Sequence, residues 1–168
     1  MRLIVIVSLL AAGATSPLAA QPATGCDRGC LAGVVTAYLE SLVAHDARKA
    51  PLAANARFTE DAKELAVGEG LWKTATKIRP FRTDFLDPAT GTAATHAVIE
   101  ENGAPVLLAA RLRVVDGRIT EVETIVVRSQ QEGALFQPDA LTQPSAAMVT
   151  APPAAQRMPR DALAEIAL

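Results

Sequence analysis

The chain has no excess of positive charge. Its 16 lysines and arginines stand against 18 aspartates and glutamates, giving a net charge of -2 and a pI near 5.7. No basic patch dominates, so no nucleic-acid partner is expected. There are only two cysteines, Cys26 and Cys30. By themselves they make a weak metal site, and neither a metal nor another cofactor is expected. No apolar run is long enough to hold a bilayer as a stable anchor. No set of residues amounts to a complete catalytic apparatus.

What the chain does have is turn chemistry. Asn102-Gly103 and Asp116-Gly117 cut the stretch from Thr92 to Arg128 into three β-rich runs. Both dipeptides reach positive φ at little cost, the strongest short-range signal for hairpins. Far upstream, Cys26 to Ala44 reads as an amphipathic helix, with Leu31, Val34, Val35, Tyr38 and Leu42 at helical spacing and Asp27 able to cap its start. His45-Asp46 is expected to close it, with a cation at the C-terminal dipole. Ala47 to Ala54 reads as a short second helix interrupted by Pro51, Ala56 to Glu60 as a short strand, Leu71 to Ala75 as a helical turn, and Ile78 to Leu86 as another alternating run. The expected fold is α+β: a curved, mainly antiparallel sheet wrapped round the N-terminal helix, with an internal pocket.

The ends carry different information. Met1-Arg2, an apolar run to Ala14 and the small residues up to Ala20 read as a signal peptide over 1–20, followed by a short linker over 21–25. An uncleaved anchor is the alternative. The expected destination is periplasmic or extracellular. There, Cys26 and Cys30, four residues apart, are expected to form a disulfide, which would need a distorted first helical turn. A lipoprotein acylated on Cys26 is a further reading, weakened by Ala23 and the Pro-containing spacer. Residues 26–129 make one domain. Residues 130–158, rich in Pro, Ala and Gln, read as a linker, with Leu135 and Phe136 candidates to pack back on the domain. Residues 159–168 begin a helix that is either docked on the domain or the opening of a second one.

Register decides which side chains meet. A two-residue loop at Asn102-Gly103 pairs Ile99 with Val106 and Ala97 with Leu108. At Asp116-Gly117, a three-residue loop with Gly117 as bulge residue pairs Arg111 with Glu121 and Ala110 with Val122. That choice sorts the faces better than a two-residue loop, which would set Glu121 against Leu112. One face is then Thr95, Ala97, Ile99, Leu108, Ala110, Leu112, Val114, Val122 and Val126. The other carries His96, Val98, Arg111, Arg113, Glu121, Glu123 and Ile125, with the four charged residues in a cross-strand ladder.

The order of elements resembles the nuclear transport factor 2-like superfamily, which includes SnoaL-like and ketosteroid-isomerase-like proteins. The residues that carry the resemblance are the run from Ala37 to Asp46, then Ala56 to Glu60, then Val114 to Ile119. The stretch from Cys26 to Trp72 also resembles the first domain of exported bacterial tandem-domain proteins. The resemblance implies a cone with a small-molecule pocket. It puts Tyr38 at the position of a helix-borne oxyanion donor and Glu60 near that of a general base. Ala110 falls where the isomerases place a second oxyanion donor. Alanine cannot donate that bond, a loss of about 3 kcal/mol of transition-state stabilisation. The epoxide-hydrolase pattern needs an arginine between two carboxylates, and the inward face as read here supplies none. The resemblance also implies a homodimer through the outer sheet face.

Three functions follow as alternatives. The first is non-catalytic binding of a small apolar molecule in the cone, lined by Phe58, Trp72, Phe85, Leu108, Ala110 and Leu112. The second is an isomerase, lyase or hydrolase using Glu60 as base and Tyr38 as hydrogen-bond donor. The third is a dimerisation or protein-interaction module. His96 is read as an outer-face residue and His45 as a helix cap.

Overall fold

The computed structural model describes residues 25–166. The stretch 1–20, read as a signal peptide, and nearly all of the stretch 21–25, read as a linker, lie outside the described residues. Helix α1 runs Arg28–Val43, and its N-cap Asp27 accepts the backbone N–H of Cys30 at 2.8 Å. The disulfide between Cys26 and Cys30 is formed, with Cα atoms 5.3 Å apart. The expected distortion of the first turn is absent. Cys26 precedes the cap and is not helical, so its side chain reaches back to Cys30 from an extended segment. In this bond the Cys26 sulfur is not free to carry a lipid. The closed loop is short, so reduction is expected to cost only about 2 kcal/mol. Thermal melts with and without reductant should show a lower midpoint and an unchanged folded spectrum.

Beyond α1, His45 lies in the left-handed region at φ 53°. The backbone N–H groups of His45 and Asp46 donate to the Leu42 and Ser41 carbonyls at 3.2 and 3.1 Å and close the helix as expected, but the imidazole is not the cap. Nε2 lies 2.5 Å from the Ala75 carbonyl oxygen, so that nitrogen carries the proton and the ring ties α1 to the sheet. The second helix is also shorter than read: a single 3-10 turn at Ala47–Lys49, after which Pro51 releases the chain into strand β1, Leu52–Glu60. A hairpin with no Asn or Gly follows. Asp61 and Ala62 both take positive φ, and β2 covers Lys63–Leu65. The turn α2 is Leu71–Thr74, and the long strands are β3 Ala75–Asp87, β4 Thr92–Glu101, β5 Ala104–Val115 and β6 Arg118–Val127.

The six strands form one sheet in the order β2-β1-β6-β5-β4-β3, antiparallel except for the parallel pair β1–β6. Helix α1 packs on β3 and β4. Ile99 pairs with Val106 and Ala97 with Leu108, as read. The second hairpin differs. Asp116 and Gly117, at φ 50° and 72°, make a two-residue turn that pairs Val115 with Arg118, and the irregularity falls one pair further in, at Thr120. Arg111 therefore faces Glu123, and Ala110 faces Thr124. The expected register is wrong by two residues. Because two is the side-chain period of a strand, every face survives the error. Leu108, Leu112 and Val122 are buried at 1%, 0% and 1% exposure, inside the cone with α1.

The segment over 130–158 does not run free along its length. Pro138 is buried in a 3-10 turn beside β5, and Asp139 pairs with Arg79 at 2.6 Å. Leu135 does not pack back; it is 90% exposed. Further on come the turn α3, Ala146–Val149, and the helix α4, Arg160–Ile166. Arg160 holds Asp87 through two hydrogen bonds of 2.9 and 2.7 Å, which dock the tail at the end of β3. Among the described residues no helix is long and apolar enough to cross a membrane.

Candidate functional site

The cone interior is a packed core. Tyr38 from α1 meets Trp72 from α2 edge-to-face at 5.6 Å, and Phe58, Leu108, Ala110 and Leu112 close round them, all at 3% exposure or less. These side chains, expected as pocket wall, pack against one another as a single cluster. Phe85 was expected among them and is not. It follows Asp84, whose partner Thr95 is on the inner face, so alternation sends Phe85 outward, where it is 42% exposed and stacks edge-on against His96 at 5.6 Å. Among the described residues, two buried polar side-chain atoms, Trp72 Nε1 and Thr95 Oγ1, have no hydrogen-bond partner.

Tyr38 and Glu60 do come close to each other. Burial pushes the Tyr38 hydroxyl well above its ordinary pKa. The neighbouring Trp72 indole offsets part of this, and the charge of Glu60 adds to it. A phenol held so firmly protonated can donate a hydrogen bond but not act as a base.

Glu60, however, is committed. It is the last residue of β1 and buried, and its Oε2 accepts the Leu71 N–H at 2.9 Å. It thereby does for α2 what the cap residue Gly70, lacking a side chain, cannot. Its Oε1 accepts from Arg128 Nη2 at 3.3 Å. Arg128 also forks onto Glu101 at 2.6 and 3.0 Å and lies 3.5 Å from Asp61. Thr74 Oγ1 donates to Glu101 at 2.7 Å. The Arg128 guanidinium holds the Glu101 carboxyl below the usual carboxylate range, against the opposing effect of burial.

An arginine between two carboxylates is thus present where the inward face was read as supplying none. It comes from the chain just past β6. No sequence signal singles it out, because its neighbours follow from the unpredicted parallel pairing of β1 with β6. With both Glu60 oxygens engaged, the cluster clamps α2, β4 and β6 together. A second arginine lies on the inner side of β3: Arg82 binds Asp84 at 2.6 Å and Thr36 of α1 at 3.0 Å. Among the described residues no group of three or more His, Cys, Asp or Glu could hold a metal ion.

The outer face of the sheet is less charged than expected. The ladder is real: Arg57 reaches Glu121 at 3.1 Å, and Arg111 reaches Glu121 at 2.8 Å and Glu123 at 2.6 Å. Arg113 takes no part in it. Beside the ladder, Phe81, Leu107, Ala109, Ile125, Val127 and the tail residue Leu141 line an apolar groove of about 260 Å³ together with His96, Ala97 and Leu108. Ile125 is 60% exposed there, whereas Val98 on the same face is fully buried. The alternation of β5 and β6 made Leu107 and Val127 legible as outward apolar residues. Leu141 was not, because the tail was read as linker.

A helix clasped by a six-stranded, mainly antiparallel sheet with a single parallel closure is an α+β cone, the fold class expected from the sequence. Within that class, the chain belongs to the family described as a domain of unknown function, DUF8021, whose sequence profile matches residues 26–126. No curated protein matches the chain. Similar solved structures include a protein from Kribbella flavida, at 22% identity and TM-score 0.49, covering 64% of this chain and 95% of that one. Another is a nuclear transport factor 2-like protein of unknown function from Cytophaga hutchinsonii, at 15% identity and TM-score 0.44, covering 64% and 95%. A third is a steroid delta-isomerase from Pseudomonas aeruginosa, at 14% identity and TM-score 0.45, covering 64% and 85%. These likenesses concern the fold alone.

Proposed function

We propose that this domain is a non-catalytic binding domain of an exported protein, and that it takes a small apolar molecule in the groove on the outer face of its sheet. The observation that carries the reading is the groove itself: eight of its nine lining residues are apolar, the ninth is His96, and none is charged. Its volume lies just under the roughly 300 Å³ of the smallest drug-sized sites, which suits a small ligand. The packed interior and the engaged Glu60 speak against the catalytic alternative. Export is supported by the disulfide, which needs an oxidising compartment to persist.

The test is fluorescence titration with N-phenyl-1-naphthylamine, an uncharged apolar probe. Ile125→Glu places a charge in the groove without disturbing the core, and it is expected to weaken probe binding at least tenfold. Unchanged binding by that variant, or no binding by the parent, would refute the groove as the site.

A second reading uses the same face for a second copy of the chain. What favours it is the ladder, whose alternating signs along Arg57, Glu121, Arg111 and Glu123 are self-complementary about a two-fold axis. Sedimentation of the parent as a dimer, and of Arg111→Glu as a monomer, is the expected result. A monomeric parent ends that reading.

A further inference from the structure

We propose a second binding site, for an amphipathic organic anion with an apolar body and a single charged head, in the trough between the edge strand β3 and the C-terminal tail. Two cavities meet there. One, of about 850 Å³, lies between β3 and the tail; the other, of about 660 Å³, lies over the end of β3 and the start of β4. They share Arg28, Phe85 and Leu86, which makes them one continuous trough. Its apolar parts are otherwise unexplained. Phe85 is a large ring left 42% exposed on a strand, and Met148 and Val149 of α3 face the same space at 56% and 60% exposure.

The charges around it are unbalanced in one direction. The acidic side chains of the trough are already neutralised: Asp84 by Arg82 at 2.6 Å, and Asp87 by Arg160 at 2.7 Å. Three guanidiniums are not. Among the described residues, Arg28, Arg113 and Arg157 make no ion pair, although all three line the trough. The Nε of Arg157 donates to the Pro152 carbonyl at 2.9 Å, which fixes that side chain on the tail and leaves its terminal nitrogens for another acceptor.

In a chain of net charge -2, three unpaired arginines gathered about one exposed phenylalanine form a local excess of positive charge beside apolar surface. A guanidinium matches a carboxylate or similar oxyanion through paired N–H donors, and the ring and the α3 side chains offer the apolar complement. An inorganic anion would leave Phe85 unused, and a neutral apolar molecule would leave the arginines unused. The site is separate from the outer-face groove and does not depend on it.

The experiment is calorimetric titration of the purified protein with monomeric decanoate, decanol, acetate and decyltrimethylammonium. Decanoate is expected to bind at least tenfold more tightly than the other three, and more weakly as salt is raised. The triple variant Arg28→Gln, Arg113→Gln, Arg157→Gln is expected to lose at least tenfold in decanoate affinity. Its three side chains are exposed and make no ion pair, so its melting temperature should stay close to the parent's. Phe85→Ser is expected to weaken decanoate as well, and Ile125→Glu to leave it unchanged. The proposal is overturned if decanol binds as tightly as decanoate, if the triple variant binds like the parent, or if Ile125→Glu abolishes binding. It is equally overturned if the protein ignores monomeric decanoate and binds only anionic vesicles, which would make the trough a membrane-facing patch.

Discussion

Replacing Arg128 with methionine should lower the stability of the domain by about 2–3 kcal/mol. Removing one partner of a buried ion pair typically costs about 3–5 kcal/mol, because the other charge is left unpaired away from water. Here two carboxylates lose their partner: Glu60, whose side chain is 8% exposed, and Glu101, at 13%. Arg128 itself is one-third exposed, so solvent already screens part of the interaction and the estimate moves to the lower end. For a domain of about 100 residues this corresponds to a fall of about 10 °C or more in the melting midpoint.

The pH dependence gives a sharper check. The Glu101 pKa is depressed in the folded protein from its ordinary 4.5, chiefly by the hydrogen bonds from Arg128. A depressed carboxyl stabilises the fold above the unfolded-state pKa, and that stabilisation is lost as pH falls through the folded value. The gap between parent and Arg128→Met should therefore be full at pH 7 and narrow below about pH 4.5. Chemical denaturation of both proteins across that range measures it. A gap that stays constant with pH would mean that Arg128 acts by packing rather than by charge.

Gly70→Ala should be comparably damaging, at about 3 kcal/mol, for a reason confined to one atom. Gly70 holds φ 62° and ψ -132°, a conformation nearly closed to other residues and worth about 1–3 kcal/mol when forced on alanine. A Cβ there would also lie 2.5 Å from Glu60 Oε2 and 2.8 Å from its Cδ. The carboxylate would have to leave the Leu71 N–H and shift from Arg128, so the turn α2 would lose its cap. Gly117→Ala is the control. It also takes positive φ, at 72°, but nothing lies within 4 Å of its Cβ position, so it should cost only about 1 kcal/mol. Equal losses for the two variants, by urea titration, would show that the contact with Glu60 carries no weight.

Both predictions concern a cluster that reading the chain did not assemble. Glu60 was visible as a carboxylate at the end of a strand, and Tyr38 as a tyrosine on a buried stripe. Nothing local linked them to Arg128, which is 68 residues from Glu60. The link depends on β1 lying parallel to β6, with Phe58 beside Val122 and Glu60 beside Thr124. The hairpin that follows β1 was equally hidden. Asp61 and Ala62 turn the chain at positive φ without an Asn-Gly signal, and Asp61 Oδ1 accepts the Val126 N–H across the sheet at 2.9 Å, a tertiary contact at an otherwise unfavourable turn. Phe85 was misplaced for a related reason. The side of β3 it occupies follows from its pairing with β4, and β3 carries two shifts in register before it.

Local chemistry alone determined the helix, the strands β4, β5 and β6, the turns at Asn102-Gly103 and Asp116-Gly117, and which residues of those strands face the core. Each of these depends on a period of 3.6 or 2 residues, or on the φ preference of a dipeptide, and such preferences act within a few positions of chain. Only the tertiary structure decided the parallel closure of the sheet, the clamp of Arg128 on Glu60 and Glu101, the outward turn of Phe85 and the docking of the tail through Arg160. Those contacts join segments tens of residues apart, where the partner is chosen by how the whole surface can be buried and not by the residues on either side.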